Sequence, residues 1–354
     1  MNVLSQYPRI VSAQEVLRSV SAFDTIIDTR TPPEFAEDHI PSAINLPVLD
    51  TEERAEIGTL YKEDAFRAKR RGAALVARNI AQHLTDTLAD KPRDWLPLVY
   101  CWRGGNRSGA MATIFAKIGW RVALLEGGYR AYRREVISAI RARVAAVRFV
   151  VVCGVTGSGK TRFLSALARQ GHQVLDLEAL ALHKGSLLGF HPDAPQPSQK
   201  YFESLLLQAL QSYATDRPVY VESESRKIGQ VQLPEALILG MRASPCVSLA
   251  LSLEDRVELL CEEYQHFFKS PEALKAQIQK LIPMHGHAVC DTWCALIDNR
   301  QWQTLVEALL VQHYDPSYQR SLLKNYPGVA QGRLLELSGF QPKDYDSVAA
   351  SFSG

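Results

Sequence analysis

No stretch of this 354-residue chain approaches the ~20 consecutive apolar residues that a membrane helix needs. Charge of one sign is missing too: 40 Lys and Arg stand against 38 Asp and Glu, a net charge of +2. No global field therefore demands nucleic acid, and any RNA partner has to be held by local patches. Cysteine is sparse, with six residues at irregular spacing, which argues against a disulfide framework and for a reducing cytosol. The opening MNVLSQYPRIVSAQEVL has no basic segment followed by an apolar run, so no signal peptide is visible and a cytoplasmic location is expected. Internal repeats and low-complexity tracts are absent as well. What is present, 46% apolar and 22% charged residues, is the make-up of an ordinary globular protein. The length allows two or three domains, each with its own core.

The first third alternates strand and helix signals. DTIIDTR and AINLPV read as extended, PPEFAEDHI as a helical turn, and RGAALVARNIAQHL as a helix with Ala74, Val76, Ile80 and Leu84 near one side. WLPLVYC reads as a buried strand, SGAMATIFAKIGW as a helix ending at Gly119, and RVALLEGG as the next strand. The alternation predicts a mostly parallel α/β sheet with helices on both faces. A second αβ pattern starts at Phe149: FVVVC, TRFLSALARQ, HQVLDLE, RPVYVESE and CVSLALSLEDR. From about Val257 the chain reads mainly helical. The expected organisation is a first α/β domain over residues 1–133, a basic connecting helix over 134–148, a second α/β domain over 149–256 and a small helical region over 257–354.

Two stretches carry chemistry. In VYCWRGGNRSGA, a strand ends on Cys101 and is followed by Trp102, Arg103, Gly104, Gly105, Asn106, Arg107 and Ser108, with a helix expected from about Ser108. Backbone N–H groups of such a loop, the helix N-terminus and the two arginines all favour negative charge on the sulfur, and the thiolate is the nucleophile. The glycines permit unusual dihedrals and close approach of an oxyanion. The pocket would activate Cys101 for attack on phosphorus, sulfur or selenium. CWRGGNR followed by Ser108 fits the C-x5-R pattern of cysteine phosphatases, although Tyr100 stands where those enzymes usually have histidine.

In VVVCGVTGSGKT, the pattern G-x4-G-K-T falls at Gly154, Gly159, Lys160 and Thr161, after a β-branched strand and before a helix. Backbone N–H groups of the loop, including those of Gly157 and Ser158, surround a diphosphate there. Lys160 adds a point charge, and Thr161 can ligate Mg²⁺. Asp176 and Glu178, then Glu222 and Glu224, lie at apolar strand ends where acids that direct metal or substrate are kept; strand-end polarity competes with that reading. Arg226 and Lys227 could meet phosphate or RNA, or simply face solvent. So could the arginines of YRAYRREVISAIRARVAAVRF: Arg130, Arg133, Arg134, Arg141, Arg143 and Arg148. HGHAVCDTWC gathers His285, His287, Cys290 and Cys294. The spacing is not that of a closed zinc knuckle and the two cysteines share one helix face, so no metal centre is expected.

The series IIDTRTPPEFAEDHIPSAINLPV and the closing LLEGGYRAY resemble a rhodanese domain, with a cysteine loop one residue longer than in many sulfurtransferases. A rhodanese-like domain followed by this phosphate-loop domain resembles the bacterial tRNA 2-selenouridine synthases. CWRGGNRS, GVTGSGKT, LDLEALALHKGSLLG, PSQKYFE and VYVESESRKIG carry the likeness. The resemblance implies conversion of wobble 2-thiouridine in tRNA to 2-selenouridine with selenophosphate, by way of an S-geranyl intermediate made from geranyl diphosphate. It implies that Cys101 carries selenium in persulfide-like form. Arg103 and Arg107 would bind the selenophosphate oxyanion within the loop formed by Trp102, Gly104, Gly105, Asn106 and Ser108. The loop Gly154–Thr161 would hold geranyl diphosphate. Two rival functions stand beside it: a sulfurtransferase fused to an ATP-dependent small-molecule kinase, and a non-enzymatic module that binds RNA or a partner protein.

Overall fold

The computed structural model describes residues 7–185, 195–268 and 270–351. Residues 186–189, the end of the quoted LDLEALALHKGSLLG, lie outside them. The chain divides into two compact units, Met1–Ile140 with Pro197–Gln208, and Arg141–Gln196 with Ala209–Gly354. The division falls within two helices, Gly128–Ala146 and Gln199–Ser212. Residues 197–208 belong to the first unit because the Ser204 hydroxyl donates to Asp38 Oδ1 at 2.9 Å and Lys200 pairs with Glu37 at 2.5 Å. A local reading of sequence carries no trace of such pairings.

The first unit is built on β1 (Arg9–Val11), β2 (Thr25–Asp28), β3 (Ile44–Asn45), β4 (Pro97–Tyr100) and β5 (Ala123–Leu125), in the order β1-β5-β4-β2-β3. Every pairing is parallel. β4 sits at the centre and is buried at all four residues, as its unbroken apolar run implies. Ile27, Val99, Phe115, Trp95 and Trp120 form the core on one face, with Trp95 edge-on to Trp120 at 4.9 Å. The helix Ala65–Asp86 buries Ala68, Gly72, Leu75 and Ile80. Val76 and Leu84 pack against the core, but Ala74 is exposed, contrary to the expected face. Leu75 takes the inward direction, three residues on from Gly72, whose missing side chain lets Ile57 approach.

At the C-terminal end of β2, the Arg30 guanidinium makes a forked pair with the Asp28 carboxylate, with contacts of 2.6–3.0 Å, and both side chains are buried. Arg30 also donates to the Asp38 carbonyl at 2.6 Å and lies 4.0 Å from the centre of the Tyr129 ring. Asn45 donates to the carbonyls of Asp28 and Arg30, at 3.0 and 2.9 Å. The Asp-x-Arg and Asn of the sequence are thus one polar knot beneath the cysteine loop. Replacing Arg30 with methionine strands a buried carboxylate and is expected to cost about 3–5 kcal/mol, read as a loss of unfolding free energy in urea. A loss within about 0.5 kcal/mol would show that the knot contributes nothing to stability.

The second unit has β6 (Phe149–Cys153), β7 (Gln173–Leu175), β8 (Val219–Glu222), the antiparallel pair β9 (Lys227–Ile228) and β10 (Val231–Gln232), β11 (Cys246–Ala250) and β12 (Arg333–Glu336). Its main sheet runs β12-β11-β6-β8-β7, all parallel. The expected helical tail is helical over most of its length. It closes a core of its own from Phe267, Leu274, Trp293, Leu305 and Leu309. Residues 333–336 depart from that reading, and the helix beyond them packs against the second unit's sheet layer instead of that core. β12 extends the sheet, and Tyr345 and Ala349 of the helix Pro342–Ser351 pack with Phe163 and Leu164. As an edge strand, β12 buries only Leu335 and shows no alternation to read. Among the described residues, no helix is long and apolar enough to cross a membrane.

Candidate active site: a cysteine loop and a phosphate loop

β4 delivers Cys101 at its C-terminal end, where parallel sheets present their functional groups. The helix that follows begins at Asn106, two residues earlier than expected, with Gly105 as its cap. Cys101 is 3% exposed. The Ser108 hydroxyl donates to its sulfur at 3.2 Å. Burial works against the thiolate, yet that hydroxyl and the N–H groups of Ser108, Arg103 and Gly105 outweigh it and bring the thiol below its ordinary pKa. Lowering therefore comes from aligned hydrogen-bond donors. Arg103 is exposed. Arg107 is committed to a forked pair with Glu34 at 2.8 and 3.3 Å. Burial opposes ionisation of Glu34, but Arg107 and Thr31 pull its carboxyl down to about 2. Glu34 itself sits at the start of the helix Pro32–Glu37, in a capping box with Thr31. Sequence reasoning had not assigned it a role.

The loop's shape is set from behind. Gly104 has φ +65°, and a Cβ there would stand 2.6 Å from the Leu125 carbonyl oxygen. Gly128, at φ +58°, lies so close that a Cβ would stand 2.3 Å from the Cys101 carbonyl oxygen. The Gly-Gly closing segment is therefore the floor of the cysteine loop, and Tyr129 N–H seals it with a 2.8 Å bond to that same carbonyl. Trp102 stacks on Tyr129 at 5.3 Å. Gly105, by contrast, has nothing within 4 Å of a Cβ position and is exposed, as is Asn106. Because Ser108 helps to hold the thiolate, Ser108→Ala is expected to raise the thiol pKa. Alkylation of Cys101 by iodoacetamide would then shift to higher pH, with the same plateau rate. An unchanged profile would remove Ser108 from that role.

The second centre stands on β6. The loop Gly154–Gly159 leads into the helix Lys160–Arg169, with Gly159 as cap at φ +74°. A Cβ on Gly159 would collide with the Tyr345 hydroxyl. A cavity of about 810 Å³ opens over the loop, lined by Gly157, Lys160, Thr161, Glu178, Glu224 and Tyr318 among others. Lys160 Nζ donates to the Gly154 carbonyl at 2.8 Å, and Thr161 Oγ1 donates to Glu178 at 3.2 Å. Burial opposes the Lys160 ammonium, but Tyr318, Glu224, Glu222 and Glu178 outweigh it and raise its pKa. Arg256 supports the loop from below, donating to the Thr156 carbonyl at 2.9 Å while gripping Asp315 at 2.6 and 3.0 Å.

Carboxylate oxygens of Glu178, Glu222 and Glu224 lie within 4.8 Å of one another. Burial raises all three, and mutual repulsion adds to it for Glu222 and Glu224; Glu224 reaches about 7. Glu222 accepts from Glu178 N–H at 3.1 Å, while its other oxygen is buried with no partner. Asp176 is not in this group. It caps the helix Leu177–Ala181 by accepting from Ala179 N–H at 2.8 Å. Three tyrosines also reach this region from far along the chain. Tyr318 accepts from Gly154 N–H at 3.0 Å and bonds Ser223 at 2.7 Å, Tyr326 donates to the Glu224 carbonyl at 2.7 Å, and Tyr345 lies against Gly159.

Comparison with known proteins follows the same two-part plan. Residues 12–135 match the rhodanese-like domain model, and residues 147–283 match the model described as the tRNA 2-selenouridine synthase AAA domain. The tRNA 2-selenouridine synthase of Shewanella halifaxensis (strain HAW-EB4) is 33% identical over 350 residues, covering 89% of this chain and 93% of the relative. The chain belongs to the tRNA 2-selenouridine synthase family. Proteins of that name from Nitrosomonas europaea and Bdellovibrio bacteriovorus are 36% and 35% identical, over 73% and 85% of this chain and 67% and 89% of theirs.

The basic residues singled out in this family member divide into two groups. Arg130, Arg134, Arg141 and Lys227 are exposed, as is Arg226, 3.9 Å from Glu235. Arg133 is instead tied to Glu203 and to the Lys200 carbonyl. Arg143 binds the Leu210 and Tyr213 carbonyls at 2.7–3.1 Å, and Arg148 the Asp216 carbonyl. His285 bonds His313 at 2.9 Å and meets Trp293 edge-on, while Cys290 is buried beside Trp293 in the helical core.

Proposed function

We propose that this protein replaces the sulfur of wobble 2-thiouridine in tRNA with selenium, using geranyl diphosphate to activate the sulfur and selenophosphate to supply selenium. One observation carries the reading: an activated thiol loop and a G-x4-G-K-T loop stand on one chain that aligns over 89% of its length with a synthase of that name. A thiocarbonyl sulfur is a poor leaving group. Alkylation by the geranyl carbon breaks its bond to diphosphate, releases the N3 proton of the base and turns C2 into a carbon bearing a good thiol leaving group. N–H groups of Gly157, Ser158 and Gly159, with the Lys160 ammonium, would take up the negative charge of the departing diphosphate. Thr161, Glu178, Glu222 and Glu224 fit a magnesium ion, since three carboxylates converge there and one buried oxygen of Glu222 has no hydrogen-bond partner; bound there, Mg²⁺ would neutralise diphosphate charge.

Selenium is at the selenide level in both donor and product, so the exchange needs no oxidant. A sulfur–selenium bond on Cys101 would need one. We therefore read the Cys101 thiolate as the nucleophile at phosphorus, in keeping with its C-x5-R spacing. Hydrogen selenide leaves and attacks C2 of the base, geranyl thiol departs, and water returns the S-phosphocysteine to free thiol and phosphate. Selenide is a weak base, so no acid residue has to protonate it on leaving. Exposed Arg130, Arg134, Arg141, Arg226 and Lys227 are candidates for contacts to tRNA phosphates.

The test is mass spectrometry of wobble nucleosides after incubating the protein with thiolated tRNA and each donor in turn. Geranyl diphosphate alone should give S-geranyl-2-thiouridine, and adding selenophosphate should give 2-selenouridine. ADP released from ATP with the nucleosides unchanged would favour the kinase reading and discard this one.

A further inference from the structure

A second space adjoins the phosphate-loop cavity. It is a narrow slot of about 50 Å³. Thr156, Leu260, Tyr264 and Tyr314 line both spaces, so the slot adjoins the larger cavity across these four side chains. Leu260 forms the junction: its side chain lies 3.0–3.1 Å from where a Cβ of Gly157 would stand, directly against the phosphate loop. Beyond it the walls are Phe267, Leu274, Leu305, Val306 and Leu309, contributed by the helical region downstream of β11. None of these offers a side-chain hydrogen-bond partner. A nucleobase placed here would lose its hydrogen bonds to water and regain none.

Resting on the reading of the loop as a geranyl diphosphate site, we infer that this slot holds the distal isoprene unit of the donor, with Leu260 and Tyr264 guiding the chain away from the diphosphate. The slot's narrowness suits a branched hydrocarbon chain, and its position against the loop, across Leu260, is where a chain borne by the diphosphate would run. The helical region closed around Trp293 thereby acquires a role in donor selection. The chain length accepted is set by how far the slot runs before Leu274 and Leu305 close it.

Calorimetric titration of the full chain with geranyl diphosphate, dimethylallyl diphosphate and inorganic diphosphate tests this. Each buried methylene is worth about fourfold in affinity, so geranyl diphosphate should bind at least about tenfold more tightly than either shorter ligand. Val306→Phe fills the slot from a half-buried position and should abolish that advantage, with inorganic diphosphate binding as before; the latter also reports that the variant folds. A second measurement does not depend on any variant. A geranyl diphosphate analogue carrying a diazirine on its distal unit should label the segments around Phe267–Leu274 and Leu305–Leu309. Two outcomes overturn the assignment: a full geranyl advantage kept in Val306→Phe, or label confined elsewhere. If the wild-type protein shows no preference for geranyl diphosphate at all, the prenyl donor itself is wrong, and the slot falls with it.

Discussion

Serine in place of Cys101 is expected to abolish selenium incorporation and to leave S-geranylation at its normal rate. The physical basis is the ring of donors around the sulfur. Ser108 and three N–H groups stabilise an anion on this atom, and a thiol can supply one near neutral pH where a serine hydroxyl cannot. Removing the nucleophile should cost roughly a thousandfold or more in selenation rate. The exchange is nearly isosteric, so the melting temperature should hardly move. If phosphorus is the point of attack, wild-type protein quenched in acid after mixing with selenophosphate will carry a phosphate on Cys101, found by peptide mass spectrometry, and the serine variant will not. Selenation at the wild-type rate in Cys101→Ser would remove the residue from the chemistry. Selenium retained on the quenched cysteine, with no phosphate, would move the attack to selenium and require an oxidant.

How much of this was legible beforehand depends on how far each interaction reaches along the chain. Local patterns were enough for the alternation of strands and helices, for the position of Cys101 after a buried strand, and for the phosphate loop with a helix directly after it. Each of those signals is complete within about a dozen residues. Partners brought from afar were not visible. Glu34 meets Arg107 across 73 residues, and nothing in PPEFAE separates a carboxylate that grips an arginine from one that merely starts a helix. Asp176 and Glu178 are two residues apart, and only the phase of a five-residue helix decides that the first caps it while the second turns toward Glu222 and Glu224. Tyr318, Tyr326 and Tyr345 come from the end of the chain, where a tyrosine on an amphipathic helix reads as core. The apolar slot is likewise a property of several helices packed together. None of them shows it alone.

Lys160→Ala should produce the mirror image of the cysteine variant. Lys160 is buried beside Glu178, Glu222 and Glu224, and those acids with Tyr318 keep it charged despite burial. In the free protein it is held by the Gly154 carbonyl at 2.8 Å, so moving to a diphosphate exchanges a neutral acceptor for a charged one. Alanine removes that gain and leaves the three carboxylates facing the diphosphate with less positive charge between them. Loss of one such stabilising group is worth roughly a hundred- to a thousandfold in rate. Geranyl transfer, followed as S-geranyl-2-thiouridine by mass spectrometry, should fall by about that factor. The decisive comparison supplies tRNA that already carries S-geranyl-2-thiouridine. With selenophosphate, Lys160→Ala should convert it to 2-selenouridine as the wild type does, whereas Cys101→Ser should not. Unchanged geranyl transfer in Lys160→Ala would take the phosphate loop out of prenyl chemistry. Failure of that variant on the pre-geranylated tRNA would mean that the loop also serves the selenium step, and that two chemically separate sites are the wrong description of this protein.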